Sequence, residues 1–196
     1  MPETVRLFQQ GPHRTSIMQR LIPIDLNEAS ERARELLEEV ETDFGTLPNM
    51  LRTMAHSPAV LEAYMAFHYA LRGGHLPLAL REQIAITVAA ANRNDYDLVR
   101  HTKLGRIAGL NARELVSARV AQSDDPKTTV ALVFARRIVT QRGGLIDADL
   151  DFIRDAGYTD AEIAEIIAHV ALNNFSNQFN AVVKTELDLP EVALVA

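Results

Sequence analysis

Helix punctuation dominates this sequence. Ser57-Pro58 and Asp125-Pro126 each place a capping side chain before a proline at the first helical position, where a missing N–H costs nothing. Asn111 with Glu114, and Thr159 with Glu162, have the spacing of capping boxes. Asp25 or Asn27 can cap a helix that runs to about Phe44 and gathers Leu36, Leu37 and Val40 on one face. Gly45 ends it, and a short helix follows Pro48. Pro77 opens a helix carrying Ile84, Ile86, Val88 and several alanines, while Gly73-Gly74 and Gly143-Gly144 close helices. No stretch alternates apolar and polar residues with period two. These signals predict an all-α fold, a helical bundle of about eight helices.

The bundle shows a weak internal duplication. Gly109-Leu110-Asn111 through Leu115 echoes Gly157-Tyr158-Thr159 through Ile163: a helix stop, a cap and a new helix. The helices before them, Pro77 to Arg93 and Pro126 to Arg142, also match roughly. Two copies are too few for a solenoid, so a compact bundle about a pseudo-two-fold is expected. Residues 25–196 form this helical domain. Residues 1–24 read as an N-terminal arm, because Pro2, Pro12 and Pro23 interrupt any helix. Its apolar Ile17, Met18, Leu21, Ile22 and Ile24 give part of it something to pack on, its own domain or a neighbouring subunit. Disorder is the rival reading for residues 1–14.

Composition removes several classes of function. The chain of 196 residues has no cysteine, which excludes thiol peroxidase chemistry, disulfide exchange and Cys-ligated metal centres. A formal charge of −6 disfavours a nucleic-acid partner, and the absence of Trp leaves no stacking platform for single strands. No apolar run approaches the ~18 residues of a membrane span. Residues 1–11 lack the apolar stretch of a signal peptide. The expectation is a cytoplasmic protein with a small-molecule ligand, no nucleic acid and no membrane. No strand–loop–helix context accompanies the glycine pairs, so nucleotide binding is unsupported.

The polar constellation lies between Arg81 and Thr102. Glu82 sits early in the Pro77 helix, and Asn94 begins the next. Asp97 and His101 stand at i and i+4 and share a face. A carboxylate there can orient the imidazole, and Glu82 can be brought against the same pair by the helix hairpin. Two carboxylates and a histidine are equipment for general acid–base catalysis. The same residues also have a structural reading. Asn94 is an N-cap with Asp97 at the third helical position, both acids suit the positive end of the helix dipole, and His101 is then a half-buried polar residue.

The run from Phe44 to Leu51, then Leu80-Arg81-Glu82, Ala91-Asn92 through Tyr96 to His101-Thr102, and Gly109-Leu110 resemble the carboxymuconolactone decarboxylase / alkylhydroperoxidase D-like superfamily. The longer, peroxidase-related members are the most similar in length. Asp149 through Gly157, Glu162 through Ile166, and Asn173 through Asn180 resemble that family's closing segment. The resemblance spans about residues 30–190 and implies an AhpD-like all-helical fold assembled as a homo-oligomer, a trimer or hexamer. In the redox branch a Cys-x-x-Cys pair starts the helix that carries the histidine. Aligned on Glu82 and His101, those cysteines fall at Asn94 and Asp97, so the helix start is kept and the nucleophile is lost.

The decarboxylase branch also lacks the pair and performs acid–base lyase chemistry. By that resemblance His101 shuttles the proton, Asp97 orients it, and Glu82 is a second proton carrier. Arg81 or Arg100 binds a substrate carboxylate, with Tyr96 and Asn94 lining the site. The implied activity is that of a cofactor-free enzyme acting on a small carboxylate or lactone, with no metal. The alternative is a non-catalytic ligand-binding or assembly protein descended from a peroxidase-related oxidoreductase. The first reading predicts a cavity holding Glu82 and His101 in hydrogen-bond reach. The second predicts that cavity filled by Tyr96, Leu98 or arm residues.

Two further groups draw notice. His13, His56, His68, His75 and His169 show no metal-ligand spacing and read as surface or packing residues; His169 can line the same pocket as His101, but a hydrogen-bonded core histidine is the preferred reading. Asn173, Asn177 and Asn180 share one helix face. They read as a polar pocket wall or, preferably, as hydrogen-bonding groups at a subunit interface.

Overall fold

The structure is a computed structural model and describes residues 19–188. Among the described residues it holds nine helices and no strand. They are α1 (Glu31–Phe44), α2 (Asn49–Met54), α3 (Pro58–Arg72), α4 (Leu78–Ala91), α5 (Asp95–Ile107), α6 (Ala112–Arg119), α7 (Pro126–Thr140), α8 (Asp147–Asp155) and α9 (Asp160–Val183). The all-helical expectation is met, with two local corrections. The first helix is capped by Ser30, whose hydroxyl accepts from Ala33 N–H, while Asp25 instead closes a turn with Asn27 N–H at 2.9 Å. The additional helix is α8. Ile146 stands at its cap position, so the usual polar start signal is missing, and Asp149 reaches back to accept from Ile146 N–H at 3.0 Å.

Asn94, Asn111, Asp125 and Thr159 cap their helices as expected, whereas Ser57 stands at the cap position of α3 with no side-chain hydrogen bond, so Pro58 alone marks that start. Asn94 accepts from Asp97 N–H at 2.9 Å. Both capping boxes are complete, with Glu114 accepting from Asn111 N–H and Glu162 from Thr159 N–H, each at 2.8 Å. The duplicated pairs Leu110–Glu114 and Tyr158–Glu162 line one groove. Of the expected arm, residues 1–18 lie outside the described residues. Residues 19–24 run along their own domain: Arg20 N–H donates to Val183 O at 2.7 Å, and Ile24 N–H to Arg52 O at 3.3 Å.

Helix α4 is the centre of the bundle. Its buried residues, Leu80 and the whole run 83–89, cover every side of the helix, and α5, α6, α7 and α9 all pack on it. A helix apolar all round has to be enclosed. Two apolar clusters result. One joins Ile84, Ile86 and Val88 to Leu115, Leu132, Phe134, Ile153 and Ile166. The other joins Leu36, Leu37 and Val40 to Met50, Leu51, Met54, Leu61 and Leu172. Each such side chain contributes about 1.5–3 kcal/mol when fully buried.

Helix α9 serves both clusters, with Val170 in the first and Leu172 in the second. It also carries a buried polar row, His169, Asn173, Ser176, Asn177 and Asn180. Two glycines fix how closely the elements approach. A Cβ on Gly105 of α5 would lie 2.6 Å from Leu115 Cδ2 of α6. A Cβ on Gly74 would lie 2.5 Å from Glu165 Oε2. That carboxylate accepts from His75 N–H at 2.8 Å and Leu76 N–H at 3.0 Å, tying α9 to the loop that enters α4.

Candidate functional site

The α4–α5 hairpin sets the site. Asn94 caps α5, and its side-chain amide also donates to Asn177 O of α9 at 2.8 Å. With α5 anchored there, His101 falls opposite Glu82 of α4. Glu82 Oε2 lies 2.8 Å from His101 Nδ1, and both side chains are largely buried. The other ring nitrogen, Nε2, lies 3.2 Å from Arg100 Nη1. A guanidinium only donates, so Nε2 must accept. This assigns the imidazole as neutral, with its proton on Nδ1 donated to Glu82. Burial opposes ionisation of Glu82, but His101, hydrogen-bonded to it, and Arg100 outweigh burial and hold its pKa below the ordinary carboxylate value. Burial likewise opposes the charge on Arg100, and Tyr64, Asp97 and Glu82 around it outweigh that effect, so its pKa stands above the ordinary value.

The dyad opens on a cavity of about 270 Å³. Arg72 and His68 of α3, Arg81 and Ala85 of α4, Leu104 of α5, and His169, Leu172 and Asn173 of α9 contribute to its wall. Asp43 and Phe44 of α1 complete it. Asp43 accepts from the Tyr69 hydroxyl at 2.5 Å. Burial, helped by neighbouring cations, pushes the His68 and His169 pKa values down to about 4. Arg100 and Arg72 act on His68, and Arg81 acts on His169. Both rings are therefore neutral near pH 7.

Of the residues singled out from the sequence, Glu82, His101, Arg81 and Arg100 meet in this cavity. Arg81 Nη1 donates to Leu71 O and Arg72 O at 3.3 and 3.2 Å, and its Nε has no partner among the described residues. Asp97, Asn94 and Tyr96 lie elsewhere. Asp97 does not orient His101; Glu82 takes that place. The Asp97 side chain is fully buried, and its Oδ2 accepts from Asn177 Nδ2 at 2.8 Å and Asn180 Nδ2 at 2.9 Å. Of the asparagines expected at a subunit interface, Asn177 and Asn180 thus bond within the chain and clamp α5 to α9, while Asn173 donates to His169 O of its own helix and lines the cavity. Asn94 belongs to the same clamp. Tyr96 points to α2 and the C-terminal segment, its hydroxyl 3.1 Å from Asp188 Oδ1 and 3.4 Å from Met50 N.

Sequence reasoning passed over His68 as a surface or packing histidine and did not consider Arg72. Their one local signal is that they stand at i and i+4 on α3, sharing a face. His169 is not the hydrogen-bonded core histidine preferred from the sequence: it lines the cavity, and its Nε2 is buried without a partner among the described residues. Among the described residues no cluster of three His, Asp or Glu side chains is placed to hold a metal ion.

The described helices form an all-α bundle of the AhpD-like class of fold. Within it, residues 58–141 match the model of the carboxymuconolactone decarboxylase family, and that segment contains both members of the dyad. Among solved structures, the chain is similar to the alkylhydroperoxidase AhpD core of an uncharacterized peroxidase-related protein from Ralstonia eutropha JMP134. The two are 26% identical with a TM-score of 0.78, covering 89% of this chain and 94% of that one. A peroxidase-related protein from Silicibacter sp. TM1040 is 24% identical with a TM-score of 0.74, covering 90% and 95%. The debrominase Bmp8, solved in complex with 2,3,4-tribromopyrrole, is 22% identical with a TM-score of 0.75, covering 89% and 94%. The last two likenesses establish the fold alone. No curated protein matches the chain.

Proposed function

We propose that the cavity is the active site of a cofactor-free acid–base enzyme acting on a small carboxylate or carboxylated lactone. The observation that carries this reading is the Glu82–His101 hydrogen bond inside a cavity rich in guanidinium groups. Arg72, Arg81 and Arg100 face two carboxylates, Glu82 committed to His101 and Asp43 to Tyr69. The lining thus carries three guanidinium groups against two carboxylates that neighbouring side chains already engage, which suits a carboxylate on the ligand.

The chemistry follows from the two ring nitrogens. Arg100 donates to His101 Nε2. A substrate carboxylate is the stronger acceptor and draws the guanidinium to itself. The Nε2 lone pair then takes a proton from a carbon made acidic by a neighbouring carbonyl, and the electron pair of the broken C–H bond moves into that carbonyl. Glu82 stabilises the imidazolium that forms. Returning the proton to a different carbon moves a double bond. In the decarboxylating variant the C–CO2 bond breaks, its electrons enter the carbonyl system, and a protonated His101 delivers the proton to carbon. Asp97 and the asparagines hold α5 in place and take no part in the proton transfer. The redox branch's thiol route is closed, since Asn94 and Asp97 carry no thiol.

The non-catalytic alternative requires the cavity to be filled by Tyr96, Leu98 or the arm. Tyr96 hydrogen-bonds at α2, and Leu98 packs on the first apolar cluster, so neither occupies it. The test is hydrogen–deuterium exchange at carbon, followed by proton NMR over a panel of small lactones, keto acids and aromatic acids. Exchange or CO2 release with the wild type, lost in His101→Asn, is the expected result. Turnover that survives His101→Asn, or no compound that binds, overturns the reading.

A further inference from the structure

The cavity holds three imidazoles, and the dyad uses one. His101 has both ring nitrogens engaged, by Glu82 and Arg100. No described residue hydrogen-bonds the ring of His68 or of His169. His169 is 7% exposed and its Nε2 is buried without a partner. His68 sits in an aromatic setting, 6.4 Å from Tyr64 in a stacked arrangement, 5.7 Å from Phe44 and 5.8 Å from Tyr69 between ring centroids. These contacts hold the ring and satisfy neither nitrogen. A buried polar group left unmet costs about 1–3 kcal/mol, so the buried His169 Nε2, with the part-buried and unbonded His68 ring on the same cavity wall, calls for an occupant that meets it.

Among the described residues no three His, Asp or Glu side chains are placed to hold a metal ion, so the two rings are read as hydrogen-bonding groups. Their occupant is not the carboxylate, which the guanidinium groups serve better. A neutral imidazole presents one N–H and one lone pair, the match for an uncharged oxygen that accepts, donates or does both. The rings come from α3 and α9, whereas Glu82 and His101 come from α4 and α5.

We infer that His68 and His169 are a substrate-recognition pair, binding an uncharged carbonyl or hydroxyl oxygen of the ligand beside the Glu82–His101 dyad. The inference rests on the proposed function and narrows it: the substrate is an oxo- or hydroxy-substituted carboxylate, not a plain hydrocarbon acid. The pair also polarises the carbonyl that receives electrons when His101 removes a proton, which unites binding with the chemistry.

A matched set of probes tests it: cyclopentanecarboxylate, 3-oxocyclopentanecarboxylate and cyclopentanone, titrated into the full chain by calorimetry. The imidazole 15N signals are followed by NMR in parallel. The expected result is that the oxo acid binds about tenfold more tightly than the plain acid. It also shifts the nitrogen signals of His68 and His169, and the preference collapses in His68→Phe and His169→Phe while plain-acid binding persists. Equal binding of the two acids, or unmoved His68 and His169 signals on saturation, overturns the inference and leaves the carboxylate site standing. If cyclopentanone shifts the two signals and neither acid binds, the pair is supported and the carboxylate reading fails. If nothing binds, both fail. The wild-type NMR readout decides the matter even where a variant does not fold.

Discussion

Glu82 Oε2 lies 2.8 Å from Nδ1 of His101, and Arg100 Nη1 lies 3.2 Å from the same ring's Nε2. The imidazole is thus held from both sides by groups of opposite charge. One side stabilises the protonated ring and the other is displaceable by an anion. On the proposed acid–base reading this polarity gives the dyad a direction: protons would enter and leave at Nε2, while Glu82 fixes the tautomer.

Replacing either partner conservatively separates the two roles. Glu82→Gln keeps a hydrogen-bonding side chain but cannot stabilise an imidazolium, and should lower kcat by about 10²–10⁴ with little change in KM. His101→Asn should lose the exchange reaction altogether. A Glu82→Gln enzyme at full rate would mean that the carboxylate only positions the ring.

Acid should destabilise the protein through His68 and His169. Their folded pKa values are about 4, below the ordinary 6.5, so the unfolded chain binds more protons between those values. The stability they contribute is complete above pH 6.5 and is lost as pH falls toward 4, on the order of 2 kcal/mol each. Urea unfolding across this range should show a shallower pH slope in His68→Gln than in the wild type. Parallel slopes would mean that the folded protein already accommodates the charged ring.

Asp97 should prove structural. Asp97→Asn replaces the acceptor that Asn177 and Asn180 share, and should cost about 2–3 kcal/mol by thermal or urea unfolding. Below its melting temperature the variant should retain the wild-type pH profile. A shifted profile at unchanged stability would return Asp97 to the proton relay.

The α5–α6 contact has no room for a methyl group. Gly105→Ala should destabilise by about 1–3 kcal/mol, because the new Cβ meets Leu115 at 2.6 Å in a closed core. In Leu115→Ala the same substitution should cost far less. Additive costs in this double-mutant cycle would mean that the backbone shifts instead.

Helix starts were readable because capping chemistry is local. Asp125, Asn111 and Thr159 act within their own first turn, and at Ser57-Pro58 the proline marks the start without a side-chain cap. Ser30 and α8 were harder for the same reason: several polar residues precede α1, and Ile146 supplies no cap. At the site, the hairpin made a meeting of Glu82 and His101 possible from the sequence, and the structure supplies the contact itself. The i, i+4 relation of Asp97 and His101 was read as a contact, but a shared face brings two side chains near without choosing their partners.

By itself, then, the sequence determined an all-helical chain, the order of its main helices, the glutamate and histidine of the dyad, and the absence of a thiol where the redox branch carries one. Each is local chemistry or composition. Only the tertiary structure decided that α9 lays its asparagines across α5 and claims Asp97, that Tyr96 turns to α2, and that His68, Arg72 and His169 converge from α3 and α9 on the dyad's cavity. Those outcomes depend on how helices far apart in the chain pack around α4, and packing across such separations leaves no periodic or spacing signal in either partner alone.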